Sequence, residues 1–309
     1  MAVQLRSGRN QLTIALVALC MLQAYSQPTI SFTFDDGVTD NYPGYPFEQW
    51  NKMLLDRLDS AGIKSVFFVT GRNKRDERGQ FLLKSWNAAG HKLANHTFSH
   101  PNYNSTAVTF QEFKSEFIRN DSIIKNFTNY TRLFRFPYLK EGDTKEKVGS
   151  FRELLTKNHY KNGYVTIDGS DWYIDSRLRT RLKDGLQTNL MSFKQFYLDH
   201  LFGRAVYYEE MAYKLTGRHI RHTLLLHHNL AAALFLTDLV KMFRDKGWKI
   251  INAEEAYKDE IFSANPSNIP AGESLIWALA KESGKFEKDL RYPAEDSGYE
   301  KEKMDKLGL

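Results

Sequence analysis

Two adjacent carboxylates, Asp35 and Asp36, follow the apolar run Ile30-Ser-Phe-Thr-Phe34 and precede Gly37. Like charges held side by side resist ionisation, so something must compensate them. A solvent-exposed turn would do so, since Asp and Gly are ordinary turn residues. The functional alternative is that one carboxylate binds a cation and the other takes protons. His96 and His100 lie four apart, and on a helix they would share a face close enough to bind one metal. Histidine pairs at that spacing are often incidental. Together with an Asp, however, they supply three protein ligands and leave a position open for water or substrate, as catalytic zinc requires.

Three further polar groups end apolar runs. Arg135-Phe-Pro-Tyr138 combines a cation, a rigid turn and an aromatic; Asp168-Gly-Ser-Asp-Trp172 and Leu224-Leu-Leu-His-His-Asn229 are the others. Taken singly, each has an ordinary reading: a surface Arg, a core Trp, a hydrogen-bonded His. Five such features, each at the end of an expected strand, are harder to dismiss together.

The elements that must position them are read from periodicity. Strands are expected at Ile30–Phe34, Ser65–Thr70, His91–Asn95, Leu133–Phe136, Gly163–Asp168, Thr223–Leu226 and Trp248–Asn252. Helical spacing covers Phe47–Ala61, Phe81–Ala89, Phe110–Phe127, Thr144–His159, Leu186–Leu215 with a break near Gly203, and Ala231–Lys246. Alternation at this spacing implies βαβ units, a parallel sheet and chemistry at the C-terminal strand ends. After Phe262 the chain is charge-rich. Ser274–Ala280 could dock as one helix, and Glu282–Leu309 reads as a solvated tail.

The 309 residues are 42% hydrophobic and 26% charged, a globular composition that excludes disorder and collagen. The formal charge of +6 is too slight, and its cations too scattered, to argue for a nucleic-acid partner. Residues 1–26 carry Arg6 and Arg9, the apolar run Leu12–Leu22 and then Ala24-Tyr-Ser26. That is a positive n-region, an h-region too short to span a bilayer, and a cleavage site. The expectation is a signal peptide and an exported protein, periplasmic or extracellular, with no stable membrane span after cleavage. The one cysteine, Cys20, lies inside that segment, so the mature chain must build any metal site from His and carboxylate.

In this order the five motifs resemble those of the NodB-type polysaccharide deacetylases, carbohydrate esterase family 4: Thr33–Gly37, His96–His100, Arg135–Tyr138, Asp168–Trp172 and Leu224–His227. The resemblance covers about Thr29 to Tyr257. It implies a distorted (β/α) barrel, here with a helical insertion before the last catalytic strand. It implies a hydrolase that removes acetyl groups from N-acetylated polysaccharide (peptidoglycan, chitin-like chains or poly-N-acetylglucosamine). By it, Asp36, His96 and His100 bind a divalent metal, zinc first. Asp35 is the base that deprotonates water, and Arg135 orients it. The Tyr138 N–H stabilises the oxyanion. His227 is the acid, held charged by Asp171. Trp172 and Tyr138 wall the sugar pocket. The near alternative is an O-acetyl esterase on acetylated xylan; the more distant one is a non-catalytic glycan-binding protein on the same scaffold.

The chain departs from the family pattern in places. Leu139 stands where many relatives have Gly or Ser, and a branched side chain there is expected to narrow the groove. His228 follows His227 where many have Asp. The Leu-Leu-Leu register favours His227 as the acid, with His228 a neighbour or an outward-facing polar residue. The stretch Leu186–Leu215 is expected to form a wall or lid, although its aromatics, Phe193 to Tyr213, are more often core than sugar platform. Domains are therefore expected at 1–26 (signal peptide), 27–261 (catalytic domain) and 262–309 (charged tail, partly helical). Five Asn-x-Ser/Thr sequons begin at Asn95, Asn104, Asn120, Asn126 and Asn129. A glycan on Asn95 would obstruct the site, which favours a bacterial source.

Overall fold

The computed structural model describes residues 27–186 and 188–309; the signal-peptide segment lies outside the described residues. Strand β1 (Thr29–Asp36) leads to α1 (Phe47–Ser60), β2 (Val66–Val69) to α2 (Glu77–Ala88), and β3 (Lys92–Asn95) to α3 (Phe110–Ile124). After β4 (Tyr130–Phe134) come β5 (Lys140–Gly142), α4 (Lys145–Lys157), β6 (Lys161–Asn162) and β7 (Ile167–Asp168). Two helices, α5 (Asp171–Lys183) and α6 (Leu190–Thr216), precede β8 (Arg221–His227), α7 (Leu230–Asp245), β9 (Lys249–Ile250) and α8 (Ala253–Ala256). The chain closes with β10 (Ala271–Gly272), α9 (Leu275–Ser283) and α10 (Gly298–Lys306).

The main sheet runs β6-β4-β3-β2-β1-β8-β7, all parallel, with β9 added beside β1. Its two ends are parts of one segment. Gly163 N donates to Phe134 O at 2.6 Å, whereas Thr166 N donates to Thr223 O at 3.2 Å. The single strand expected over Gly163–Asp168 is therefore split, because eight residues must pair with β4 at one end and β8 at the other. The result is a distorted barrel. Gly163 is needed at the split, since a Cβ there would lie 2.4 Å from the Phe68 ring.

Alternation sorts the strands into two faces. Ile30, Phe32 and Phe34 of β1, Phe67 and Val69 of β2, and Leu224 and Leu226 of β8 face the helices and join the main core with Trp50, Leu54, Trp86, Leu236 and Phe243. The other face looks into the barrel and carries Thr33 and Asp35, Val66 and Phe68, and Leu225 and His227, which register pairs side by side. Helix ends are defined by side-chain caps: Asp76 accepts from Gly79 N at 2.7 Å, and Thr109 with Glu112 forms a capping box.

Three expectations about the insertion and tail change. Helix α6 runs unbroken through Gly203, because tertiary packing on α5, α7 and α9 outweighs the helix cost of one glycine. It lies against the core rather than over the barrel mouth: Phe193, Tyr197 and Tyr208 are fully buried. The residues after 282 are not a solvated tail. Met304 and Leu309 enter the main core, and Glu300, fully buried, meets His200 at 2.9 Å and pairs with Arg204. Tyr208 OH donates to Tyr292 O at 2.9 Å, and the Arg204 guanidinium lies 3.4 Å over the Tyr292 ring. Helix α6 thus clamps the C-terminal segment. Among the described residues, no helix is long and apolar enough to cross a membrane.

Candidate active site

The mouth of the barrel collects the polar ends of the strands. Asp35 ends the buried face of β1 opposite His227, its register partner on β8. Asp36 follows with φ of 75° and Gly37 with 94°, so the chain turns sharply out of the strand. A Cβ at Gly37 would come 2.9 Å from Phe67 in a backbone region that disfavours side chains. The turn is tied down by Thr70, whose N donates to Asp36 O at 3.1 Å.

The histidines are not on a helix. His96 follows β3, and Thr97 and His100 adopt φ of 64° and 61° in the loop. Two fully buried amides shape that loop. Asn95 Oδ1 accepts from Thr97 N at 2.9 Å and from Asn120 Nδ2 at the same distance. These contacts also remove Asn95 and Asn120 as glycan acceptors in the folded chain. His96 Nδ1 meets Arg135 O at 2.8 Å, which fixes that nitrogen as the donor and leaves the Nε2 lone pair free. His96 Nε2 and His100 Nε2 then lie 3.8 and 3.6 Å from Asp36 Oδ1. One ligand atom from each of the three residues lies within 4.8 Å of the others, a set that could hold a metal ion. Burial holds both imidazoles below their usual pKa, hence neutral and able to ligate. Burial would raise Asp36, but nearby His100 and His227 outweigh it and hold the carboxylate below its usual range.

Asp35 is buried and paired. Arg135 Nη1 donates to its Oδ1 at 2.5 Å; Arg135 Nε donates to Gly163 O and Nη2 to Tyr257 OH, each at 2.9 Å. The guanidinium also stacks 3.8 Å over Phe68. Burial pushes Asp35 up to about 7, against the pull of Arg135 and His227. Across the mouth, His227 Nδ1 lies 2.7 Å from Asp171 Oδ1, and Asp171 Oδ2 accepts from His227 N and Asn229 Nδ2, both at 3.0 Å. Burial opposes the charge on His227, but Asp171, Asp36 and Asp35 prevail and raise its pKa well above the usual value.

His228, one residue on, faces the other way. It is 1% exposed, its ring tilts against those of Trp50 at 4.5 Å and Phe67 at 5.4 Å, and its Nε2 meets Asn51 Oδ1 at 3.0 Å. Burial drives its pKa to about 3. It is a neutral core residue, neither outward-facing nor at the mouth.

Tyr138 follows Pro137 in a one-turn 3-10 helix at φ of 57°, and its ring lies 4.5 Å from that of His100. As the second residue of the turn, it has a main-chain N–H that the turn leaves unsatisfied. Leu139 does not narrow the groove. Its own φ of 55° turns it into a small cluster with Val165, Leu225 and Ala294. Trp172 stands partly exposed on the first turn of α5, edge-on to Tyr173. A groove of about 310 Å³ opens beside Asp36 and His100.

Sequence reasoning missed several neighbours. Tyr257 caps the Arg135 guanidinium, and Asn229 holds Asp171 while capping α7. Lys74 is buried near Asp36, its pKa lowered to about 8 by burial. In the C-terminal segment, burial and Asp168 push the Glu295 carboxyl up to about 8. Only Asn229 had a local signal, as a cap residue before an apolar helix.

Residues 23–154 match the family model described as polysaccharide deacetylase. The chain is 30% identical over 149 residues to a peptidoglycan-N-acetylglucosamine deacetylase of Bacillus cereus, covering 48% of each protein. It is 26% identical over 179 residues to the peptidoglycan-N-acetylmuramic acid deacetylase of Bacillus subtilis, covering 58% of this chain and 57% of that one. With chitin deacetylase 1 of Cryptococcus neoformans it shares 28% over 158 residues, 48% of this chain and 30% of the other. The chain spans about half the length of the first two of these relatives. Among solved structures, a peptidoglycan N-acetylglucosamine deacetylase superposes with a TM-score of 0.51 at 18% identity, over 76% of this chain and 90% of that one. A CE4 family pseudoenzyme from Bacillus anthracis gives 0.51 at 15%, over 75% and 66%. At such identities the likeness speaks to the fold. Residues 23–154 are thus similar to the polysaccharide deacetylase family's model, and the fold is the one shared by these two solved structures.

Proposed function

We propose that the protein is a metal-dependent hydrolase that removes acetyl groups from N-acetylated polysaccharide such as peptidoglycan or chitin-like chains. One observation carries this reading. An Asp-His-His donor set lies between a carboxyl poised near neutrality, Asp35, and a histidine kept charged by its own carboxylate, His227. Opposite tuning of two groups across one cleft is what paired base and acid require.

Two neutral imidazoles and one carboxylate suit zinc and leave coordination positions open. Asp36, His96 and His100 would hold a divalent cation, whose charge would polarise the acyl oxygen and favour the ionised form of Asp35. Asp35 takes a proton from the attacking water, with Arg135 fixing the carboxylate. The Tyr138 N–H donates to the acyl oxygen as it gains charge. His227 gives its proton to the leaving nitrogen, and Asp171 holds the imidazole charged and aimed. Trp172 and the Tyr138 ring offer faces to the sugar.

The names of the curated relatives, peptidoglycan and chitin deacetylases, support the substrate class. The pseudoenzyme among the fold neighbours is a reminder that fold does not carry activity. The intact set Asp35, Asp36, His96 and His100 favours catalysis over glycan binding alone. Arg6, Arg9 and the apolar run before Ser26 support export. The zinc-loaded chain is expected to release acetate from N-acetylglucosamine oligomers or insoluble peptidoglycan. No acetate from these or from acetylated xylan, with metal bound, overturns the reading.

A further inference from the structure

The turn that carries the Tyr138 N–H is backbone under strain. Tyr138 and Leu139 are consecutive non-glycine residues at φ of 57° and 55°. Left-handed backbone costs about 1–2 kcal/mol for each such residue, and it persists only where the surroundings impose it. Two local features act on the turn. Pro137 fixes its start, and Leu139 N closes it on Phe136 O at 3.0 Å.

The rest of the support comes from the C-terminal segment. Strand β10 pairs antiparallel with β5, directly after the turn. At Gly272 a Cβ would lie 2.1 Å from Leu139 O, so a side chain there would keep the strand from coming this close. Glu273 N then donates to Leu139 O at 2.9 Å. Both oxygens of the Glu273 carboxylate are used: Oε1 meets Lys140 Nζ at 2.6 Å, and Oε2 accepts from Ala294 N. Ala294 in turn joins Leu139 in one apolar cluster with Val165 and Leu225. Asn104 ties the two strands further along, its Oδ1 accepting from Gly142 N at 2.7 Å and its Nδ2 donating to Ala271 O at 3.2 Å. Glu273 therefore holds both residues that follow Tyr138, Leu139 through its main chain and Lys140 through its side chain, and fastens them to the chain at Ala294. It does so at a backbone cost of its own, since its φ is 74°.

We propose that Glu273 is a positioning residue that keeps the oxyanion turn left-handed and so aims the Tyr138 N–H. The proposal rests on the hydrolase reading above, in which that N–H meets the acyl oxygen as it gains charge. Without the carboxylate, Lys140 and Ala294 lose their common anchor, and Tyr138 and Leu139 are free to relax toward negative φ. That rotation re-aims the N–H, and a hydrogen bond weakens steeply as its angle closes. Asp36, His96 and His100 are held from β1 and from the loop after β3, so the donor set stays in place. The loss falls on the transition state, where the oxygen is charged, rather than on substrate binding, and so it falls on kcat rather than KM.

The test uses the zinc-loaded full chain and N-acetylglucosamine oligomers. Glu273→Ala is expected to lower kcat by about tenfold, less than the loss of a whole oxyanion donor. KM and zinc content should change little. On N-thioacetyl oligomers, whose sulfur is a weak hydrogen-bond acceptor, the same substitution should cost less. Glu273→Gln keeps one acceptor in place and serves, with the same pattern at smaller size, if the Ala variant does not fold. An unchanged kcat, a rise in KM in its place, loss of zinc, or an equal loss on both acyl groups overturns the inference while the hydrolase reading stands. A parent inactive with zinc bound overturns the hydrolase reading, and this inference with it.

Discussion

Strand β8 has a histidine–carboxylate cluster at each end, and the two are built in opposite ways. At its start, Glu209 of α6 lies between two imidazoles. It meets His222 Nε2 at 2.6 Å and bonds His219 Nδ1, while His222 Nδ1 meets Thr166 Oγ1 at 3.0 Å. The carboxylate there is saturated. At the other end, Asp36 stands 3.6 and 3.8 Å from the Nε2 atoms of His100 and His96, too far for hydrogen bonds. Those lone pairs converge on space instead of on each other. Size does not distinguish the two ends in the expected direction. The cavity beside His219 and Arg218 is about 740 Å³, against about 310 Å³ beside Asp36. The contrast teaches that a closed cluster holds a fold together, whereas one with unsatisfied, convergent donors can hold a ligand.

The sharpest way to break that comparison is to remove one donor at each end. His96→Ala is expected to abolish zinc binding and lower acetate release by roughly three orders of magnitude, measured by metal content and turnover. If metal content is unchanged, the ligand assignment fails. His227→Ala should keep the metal and lose roughly 10²- to 10⁴-fold in turnover. His228→Ala, by contrast, empties a core site, so it should lower stability by about 2–4 kcal/mol with a much smaller rate effect. The reverse pattern would move the acid by one residue.

Arg135→Ala leaves a buried carboxyl without its partner, and about 3–5 kcal/mol of destabilisation is expected in urea unfolding. Metal content should change little, because His96 is oriented by the Arg135 main chain rather than its side chain. Loss of zinc would contradict that division of labour.

A pH series sharpens the role of Asp35. Its pKa in the folded, metal-free chain is raised from 3.8 to about 7, so the folded state keeps a proton that the unfolded chain has released. Its contribution to stability is complete in acid and is lost as pH rises through about 7. The stability of chelator-treated parent relative to Asp35→Asn should therefore fall over that interval; a flat difference would rule out the raised pKa. The smallest effect belongs to the closed cluster. Glu209→Gln should cost about 1–3 kcal/mol and leave zinc content and turnover unchanged.

Much of the site was legible locally. The runs before Asp35 and His227 and the turn residues after them mark strand ends, and the order of the five motifs points to one cleft. Where local reading failed, the missing information was directional. Leu139 looked like an obstacle in the groove until its left-handed backbone turned it inward. The pair His96 and His100 suggested a helix, yet two buried asparagines build a loop that achieves the same convergence. The tail looked solvated because its anchors, Ala294, Glu300, Met304 and Leu309, enter the body one at a time and leave no periodic pattern.

The sequence by itself determined the chemistry available. With its single cysteine at Cys20, the chain past residue 26 can build a metal site only from imidazole and carboxylate, and Asp35, Asp36, His96, His100, Arg135 and His227 stand at the ends of apolar runs in a recognisable order. Tertiary structure alone decided which of these groups meet. Parallel register set Asp35 beside His227, and strand alternation sent His227 to the mouth and His228 into the aromatic core. Packing on α6 then carried a segment from the far end of the chain to the rim. Residue types fix what a group can do, but direction and long-range contact are properties of the assembled sheet, and no local pattern encodes them.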